Sequence, residues 1–365
     1  MAVGGGSRQG PVTCGAWIRR PDKANLVVLG RSRLGDLAPS VLEIFSFNPK
    51  TTSLSPSPLT TYTLEQGDGD LISIAVHPTG DDIICSTANS GCKLFEFYGG
   101  RSNASLLAKE LPPLEGVGPQ KCLAFSFDGS KVATGGVDGH LRILEWPSLR
   151  IILDEPKAHK SVRDMDFSLD SEFLASTSTD GSARIWKAED GAPVTTLTRN
   201  SDEQIELCTF SKDGTKPFLF TTLEKGDKFL AAVWDISTWK RIGYKKLLKK
   251  PASVMSTSLD GKYLAMGSKD GDISVVEVKK MEIVHYSRRL HVGASIPVLE
   301  FCPSERVVLT TTVEWGAAVA TKLDVPRNGK NDAFWKLPQR YQPGGPQIFG
   351  NSQSFDDQND WDPEL

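Results

Sequence analysis

Four residue types that could act together chemically lie close in the chain: His159, a hydroxyl within Ser176–Thr179, Asp180 and Trp186. A hydroxyl, an imidazole to take its proton and a carboxylate to orient the imidazole are the parts of a nucleophilic triad. The same parts serve equally well to tie strands together, because a buried histidine needs a hydrogen-bond partner whatever its role. No activated nucleophile is legible in this spacing, so His159, Asp180 and Trp186 are assigned to a structural hydrogen-bond set rather than to catalysis. The other chemical signals are weaker. Gly135-Gly-Val-Asp-Gly139 resembles part of a dinucleotide loop, but it precedes a strand rather than opening a helix. Six scattered cysteines form no C-x-x-C pair, and the five histidines are dispersed. That usage reads as buried thiols in a reducing compartment, with no metal site. Paired carboxylates and a phosphate-binding loop are likewise not recognisable.

The elements that would position His159 and Asp180 come from a repeat. Cys122–Trp146 and Val162–Lys187 carry one pattern twice, and their Asp138-Gly139 and Asp180-Gly181 turns lie 42 residues apart. That period falls within the range of WD-type propeller repeats. Each copy holds three short alternating strands, and Asp-Gly suits the tight turns between them because glycine accepts positive φ. Blades of this kind often knit their strands with a His–Ser/Thr–Asp–Trp set, which is the structural reading given above. One such unit cannot bury its own faces and therefore implies neighbours of the same shape.

Further units fit around this pair. Val12–Ile18, Asn25–Leu29 and Val41–Phe47 form the first; Leu71–His77, Ile83–Ser86 and Lys93–Tyr98 form the second. After the two clear copies come a unit at Ile205–Asp235, with strands at Pro217–Thr222 and Leu230–Asp235, and units at Val254–Val278 and Val298–Leu323, giving seven. Seven blades suit closure of a ring without a long free edge. The expected architecture is all-β: residues 1–10 as a flexible lead-in, a seven-bladed WD-repeat propeller over 11–325, and a polar tail over 326–365. Phe334-Trp335 could pack against the propeller.

With 365 residues, 39% of them hydrophobic, a large core is affordable, while a formal charge of -3 argues against a general nucleic-acid binder. Met1–Gly6 lacks the apolar run of a signal peptide, and no stretch approaches the ~20 apolar residues of a membrane span. Asn103-Ala-Ser is a glycosylation sequon that matters only in an oxidising lumen. Lys245-Lys-Leu-Leu-Lys-Lys250 is read as a solvated connection between blades, the alternative being contact with an anionic surface or acidic partner. The loop Gly30–Ser40 exceeds the two to five residues of a normal hairpin; a long loop on a rigid scaffold commonly carries recognition, and an ordinary variable insertion in the blade is the equal alternative.

The Cys14-Gly-Ala-Trp-Ile strand, the loop from Gly30, the degenerate blades and the change of character after Val325 resemble the propeller of Sec-twelve-like proteins. Within that family the likeness is to the plant branch that facilitates phosphate transporter traffic. The resemblance implies a cytosolic propeller at the endoplasmic reticulum membrane, held by an anchor placed here outside the chain. It also implies partners among COPII components, a Sar-type small GTPase and phosphate transporter cargo. In exchange-competent members the first-blade loop is glycine-rich, holds potassium through backbone carbonyls and presents an asparagine to the GTPase. Here the loop reads Gly30, Arg31, Ser32, Arg33, Leu34, Gly35, Asp36, Leu37, Ala38, Pro39, Ser40. Ala38-Pro-Ser40 stands where the asparagine would fall, and Pro39 lacks an N–H donor. Two arginines place positive charge where the cation would sit, which disfavours potassium. The resemblance therefore implies escort of phosphate transporters without exchange activity. The alternatives are an active guanine-nucleotide exchange factor and a WD-type scaffold unrelated to export.

Overall fold

The computed structural model describes residues 10–323, apart from short stretches at 20–24, 33–38, 101, 115–116, 198–202, 215–216, 227, 289, 292–293, 304–306 and 312–317. The tail over 326–365 and Phe334-Trp335 lie outside the described residues. Seven antiparallel sheets follow one another along the chain, and within each the hydrogen-bonded neighbours are mostly consecutive strands. Blade 4 shows why the sequence folds this way. Its strands are Val162–Phe167, Phe173–Ser178, Ala183–Lys187 and Pro193–Thr196, from the axis outwards. Phe173-Leu-Ala-Ser-Thr-Ser178 is buried along almost its whole length because both faces of an inner strand meet other blades. Leu174 and Ala175 fill that space, and the three buried hydroxyl residues each find a partner: Ser176 with His159 and Trp186, Thr177 with the Glu206 carbonyl, and Ser178 with the Asp180 backbone N. The outermost strand faces solvent on one edge and is correspondingly half-exposed.

Each meander places its first and third turns on one face of the ring. The second turn and the connection to the next blade fall on the opposite face, called here the loop face. Glycine is required where these turns crowd a neighbour. Gly139 has φ of 85°, and a Cβ there would lie 1.9 Å from the His159 carbonyl oxygen; Gly271 has the same φ and the same 1.9 Å approach to the carbonyl of His291. Innermost strands carry a register shift at corresponding positions, between Gln120 and Cys122, Val162 and Asp164, and Ala252 and Val254. These bulges re-aim the strand start as it enters the axis.

Two boundaries differ from the sequence reading. Gly30 and Arg31 do not belong to a loop: they complete the strand Leu26–Arg31, with Gly30 paired to Cys14 and to Leu42. Arg31 stays in the sheet because its charge is met inside it by Glu43. Blade 5 is also larger than expected, its central hairpin running over Phe218–Lys225 and Lys228–Asp235 rather than stopping near Thr222.

The ring closes through side chains. Blade 1 meets blade 7 in a cluster of Val12, Trp17, Leu29, Phe47, Val307 and Leu309, among others. Trp17 is 1% exposed, and its ring meets Phe47 edge-on with centroids 5.3 Å apart. Its backbone N donates to Glu300 Oε2 at 3.1 Å and its indole Nε1 donates to the Glu300 carbonyl at 3.3 Å, so one residue supplies packing and polar contact across the seam. Among the described residues no blade 1 strand pairs with the blade 7 strands Leu299–Phe301, Val307–Thr311 and Ala318–Lys322. Trp17→Ala is expected to cost about 3–5 kcal/mol, the range for a large aromatic removed from a core. A urea unfolding titration checks this; a midpoint unchanged from wild type would show that closure does not depend on the indole.

Candidate functional site

The first candidate is the set around Ser176, which sits in the second strand of blade 4 and is fully buried. His159 lies on the connection from blade 3, and Trp186 at the end of the third strand. His159 Nε2 is 2.7 Å from Ser176 Oγ, and Trp186 Nε1 donates to the same oxygen at 2.9 Å. Asp180 is not part of this chain of contacts. Its Oδ1 accepts from the Ser182 backbone N at 2.9 Å and from the Ser182 hydroxyl at 2.5 Å, closing its own turn. Burial would raise the Asp180 pKa, but the hydrogen bonds from Ser182 outweigh it and hold the carboxyl below its usual value. Burial, reinforced by the positive charge of Arg184, pushes His159 down to about 4. The imidazole is thus neutral near pH 7 and shares a hydrogen bond with a hydroxyl that no substrate reaches. This arrangement locks strands and does not perform acyl transfer.

The same device occurs where sequence reading missed it. His291 Nε2 is 2.9 Å from Thr310 Oγ1 at the entry to blade 7, and Trp234 Nε1 donates to Thr221 Oγ1 at 2.9 Å in blade 5. A signal was present: His159 follows Gly139 by 20 residues, as His291 follows Gly271. The axis holds a related tie. Asp164 Oδ2 accepts from Cys208 N at 3.0 Å, while Asp166 Oδ2 accepts from Phe210 N at 2.8 Å and Thr209 Oγ1 at 2.9 Å. Burial, with the neighbouring Asp166 adding to it, raises Asp164 to about 7. All six cysteines are free and buried, and burial pushes Cys14 up to about 12, far from a reactive thiolate.

The second candidate is the first-blade loop on the loop face. Arg33, Leu34, Gly35, Asp36, Leu37 and Ala38 lie outside the described residues; the footing on either side of them is well defined. On the entering side, Arg31 Nε donates to Glu43 Oε2 at 2.7 Å and Nη1 to the Gly10 carbonyl at 3.1 Å, both charged residues being buried. Ser32 N donates to the Pro11 carbonyl at 3.0 Å. On the leaving side Ser40 is 1% exposed: its hydroxyl donates to the Gly69 carbonyl at 3.0 Å and its own carbonyl accepts from Leu64 N at 3.0 Å. Gly69 is fixed in turn. The single turn Gln66–Asp68 is capped by Asp68 Oδ2 accepting from Glu65 N at 2.9 Å, and Lys93 Nζ lies 2.9 Å from Asp68 Oδ1. The loop therefore rises from two rigid posts, one in blade 1 and one tied to blade 2. One correction to its electrostatics follows. Arg31 is not a free positive charge facing a cation or partner, because Glu43 neutralises it within the sheet.

Comparison with known proteins is informative at this point. The family described as "WD domain, G-beta repeat" matches residues 115–144 and 151–187, the third and fourth blades. SEC12-like protein 1 of Arabidopsis thaliana is 57% identical over 399 aligned positions that cover the whole of both chains. SEC12-like protein 2 of the same plant is 32% identical over 292 positions, covering 78% of this chain and 72% of that protein. The guanine nucleotide-exchange factor SEC12 of Rattus norvegicus is 24% identical over 205 positions, covering 51% of this chain and 48% of its own length.

Two outcomes test these geometries. Arg31→Ala strands the buried Glu43 carboxylate and should cost about 3–5 kcal/mol, read by chemical unfolding, with partial recovery when Glu43→Gln is added. For His159 the folded pKa of about 4 lies below the ordinary 6.5, so the unfolded chain takes the proton first as pH falls. Its contribution is fully present above pH 6.5, falls between 6.5 and 4, and amounts to roughly 3 kcal/mol at most. His159→Gln should flatten that part of the stability profile relative to wild type. The Asp164 slope, of opposite sign, is common to both proteins and cancels in the comparison.

Proposed function

We propose, from the premise that the chain belongs to the SEC12-like family of plants, that the propeller works at the endoplasmic reticulum. Through its first-blade loop it engages the Sar-type GTPase and COPII machinery, and it supports export of phosphate transporters without accelerating nucleotide exchange. Family membership rests on the full-length identity to SEC12-like protein 1 and supports the setting. The observation that carries the absence of exchange is the state of Ala38-Pro39-Ser40. Ala38 offers no polar side chain, and Pro39 has no N–H to donate. Ser40, the one hydroxyl in the tripeptide, is committed to Gly69 and buried at the foot of the loop. Prying a nucleotide from a GTPase requires groups that compete for its phosphates, its metal or the residues that hold them. This end of the loop has none to spare. Potassium, which would need a run of loop carbonyls, is not part of the proposal.

A second reading has its own support in the 24% identity to an exchange factor over about half of each chain. One experiment separates the two: release of a fluorescent guanine nucleotide from a Sar-type GTPase with and without the protein, beside Ala38→Asn and Pro39→Asn variants. The proposal expects the GTPase to be retained on immobilised propeller with no faster release, and Ala38→Asn or Pro39→Asn to confer some acceleration. Clear acceleration by the wild-type chain would establish an exchange factor instead.

A further inference from the structure

Among the described residues, blade 5 carries a feature that the other blades lack. Its central hairpin pairs at eight positions, from Phe218↔Asp235 to Lys225↔Lys228, whereas the corresponding hairpins of blades 3, 4 and 6 pair at five. The additional rungs, Leu223↔Leu230, Glu224↔Phe229 and Lys225↔Lys228, extend past the loop face. A short strand, Glu203–Gln204, pairs with Lys225 and Glu224 and thickens the extension into a three-stranded wall. Opposite the wall runs the connection Lys245–Pro251. It is not the loosely solvated link expected from its charge: Leu247 and Leu248 are each 2% exposed and packed between blades 5 and 6. Those two leucines clamp the backbone and turn Lys246, Lys249 and Lys250 outwards as exposed residues.

Wall and connection flank a shallow groove; Leu223, Leu230, Leu248 and Met266 beneath it are nearly covered, and the half-buried Phe229 and Pro251 supply its apolar surface. Its two carboxylates face it unequally. Glu206 is engaged by Arg163 at 3.1 Å and Lys269 at 3.5 Å, which leaves little of its charge unopposed; Glu224 lines the wall. Behind the wall, Glu203 is held by Arg241 at 2.9 Å and Lys225 at 3.9 Å. Among the described residues, Lys228, Lys246 and Lys249 have no ion pair, and Lys250 meets Asp270 only at 3.7 Å with more than half of its side chain exposed. The rim thus carries surplus positive charge along an apolar strip.

We propose that this groove is a docking site for a short acidic peptide of a partner protein. One apolar side chain would lie against Phe229 and Pro251 in the shallow groove, and carboxylates on either side would meet Lys249, Lys250 and Lys228. Charge complementarity selects an acidic occupant, and the narrow apolar strip beside the projecting wall selects an extended chain. A flat bilayer is held off by the projecting wall, and its lipid phosphates would meet only the lysines. The groove needs neither Ser32 nor Ser40, so the two sites stand or fall separately.

The test uses the full chain and a fluorescein-labelled peptide with one leucine between pairs of glutamates, followed by anisotropy at low and physiological salt. Control peptides replace the glutamates by lysines or the leucine by serine. The expected result is salt-sensitive binding of the acidic leucine peptide only. Lys249→Glu with Lys250→Glu should weaken it about tenfold or more, and Phe229→Ala by a comparable factor, with unfolding midpoints unchanged. A parallel arm sediments the protein with phosphatidylserine vesicles and with phosphatidylcholine vesicles. Peptide binding that is absent, or that ignores either substitution, overturns the proposal. Sedimentation with the anionic vesicles alone, lost on charge reversal and without peptide binding, would make the lysines a lipid contact.

Discussion

A ring of blades exists only if its two ends meet, and among the described residues side chains make the meeting. Trp17 stands at that seam with its indole against Phe47 and both of its N–H groups directed at Glu300. Everything else inherits its geometry from this closure. The inner strands stay parallel around the axis because each is flanked on both sides, and the loop face is a single surface only while the ring is shut. Hydrophobic burial supplies most of the cohesion, spread over clusters that each span two neighbouring blades. Polar contacts decide how neighbouring blades register.

Those polar contacts share a logic. A hydroxyl in a second strand receives an indole N–H, an imidazole, or both, as at Ser176, Thr221 and Thr310. A carboxylate near the axis receives backbone N–H groups from the next blade, as at Asp164 and Asp166. Each buried group is valuable chiefly because leaving it unmet would be costly. Residue types that catalyse elsewhere are therefore consumed here by architecture. The first-blade loop follows the same rule, since its feet use up an arginine, a glutamate and a serine before the loop rises.

Much of the blade pattern was legible in the sequence because it is local. Asp138-Gly139 and Asp180-Gly181 announce tight turns, and the alternation beside them announces strands whatever the rest of the chain does. The illegible parts depend on partners distant in sequence or on context. Arg31 reads as loop charge until Glu43, on the facing strand, is seen to bury it. The Trp17–Glu300 contacts join residues 283 positions apart, and no local pattern encodes them. Leu223-Glu-Lys-Gly-Asp-Lys-Phe-Leu230 reads as a charged turn, since the pairing that makes it a wall needs Glu203–Gln204 from the preceding connection. Asp180 shows the converse error: a residue placed by motif in a contact set, which the fold spends on its own turn instead.

Side-chain closure has a consequence for synthesis. In the described sheets nearly every pairing joins strands that are close in sequence, so a blade can complete itself soon after its last strand leaves the ribosome. Among the described residues no early strand waits unpaired for a partner made at the end of translation, which is the period when an open edge is most exposed to aggregation. Blade 1 is the first to be finished. Among the described residues, what remains for the end is the docking of two preformed surfaces around Trp17, so assembly of this ring resembles the latching of a bracelet more than the weaving of one.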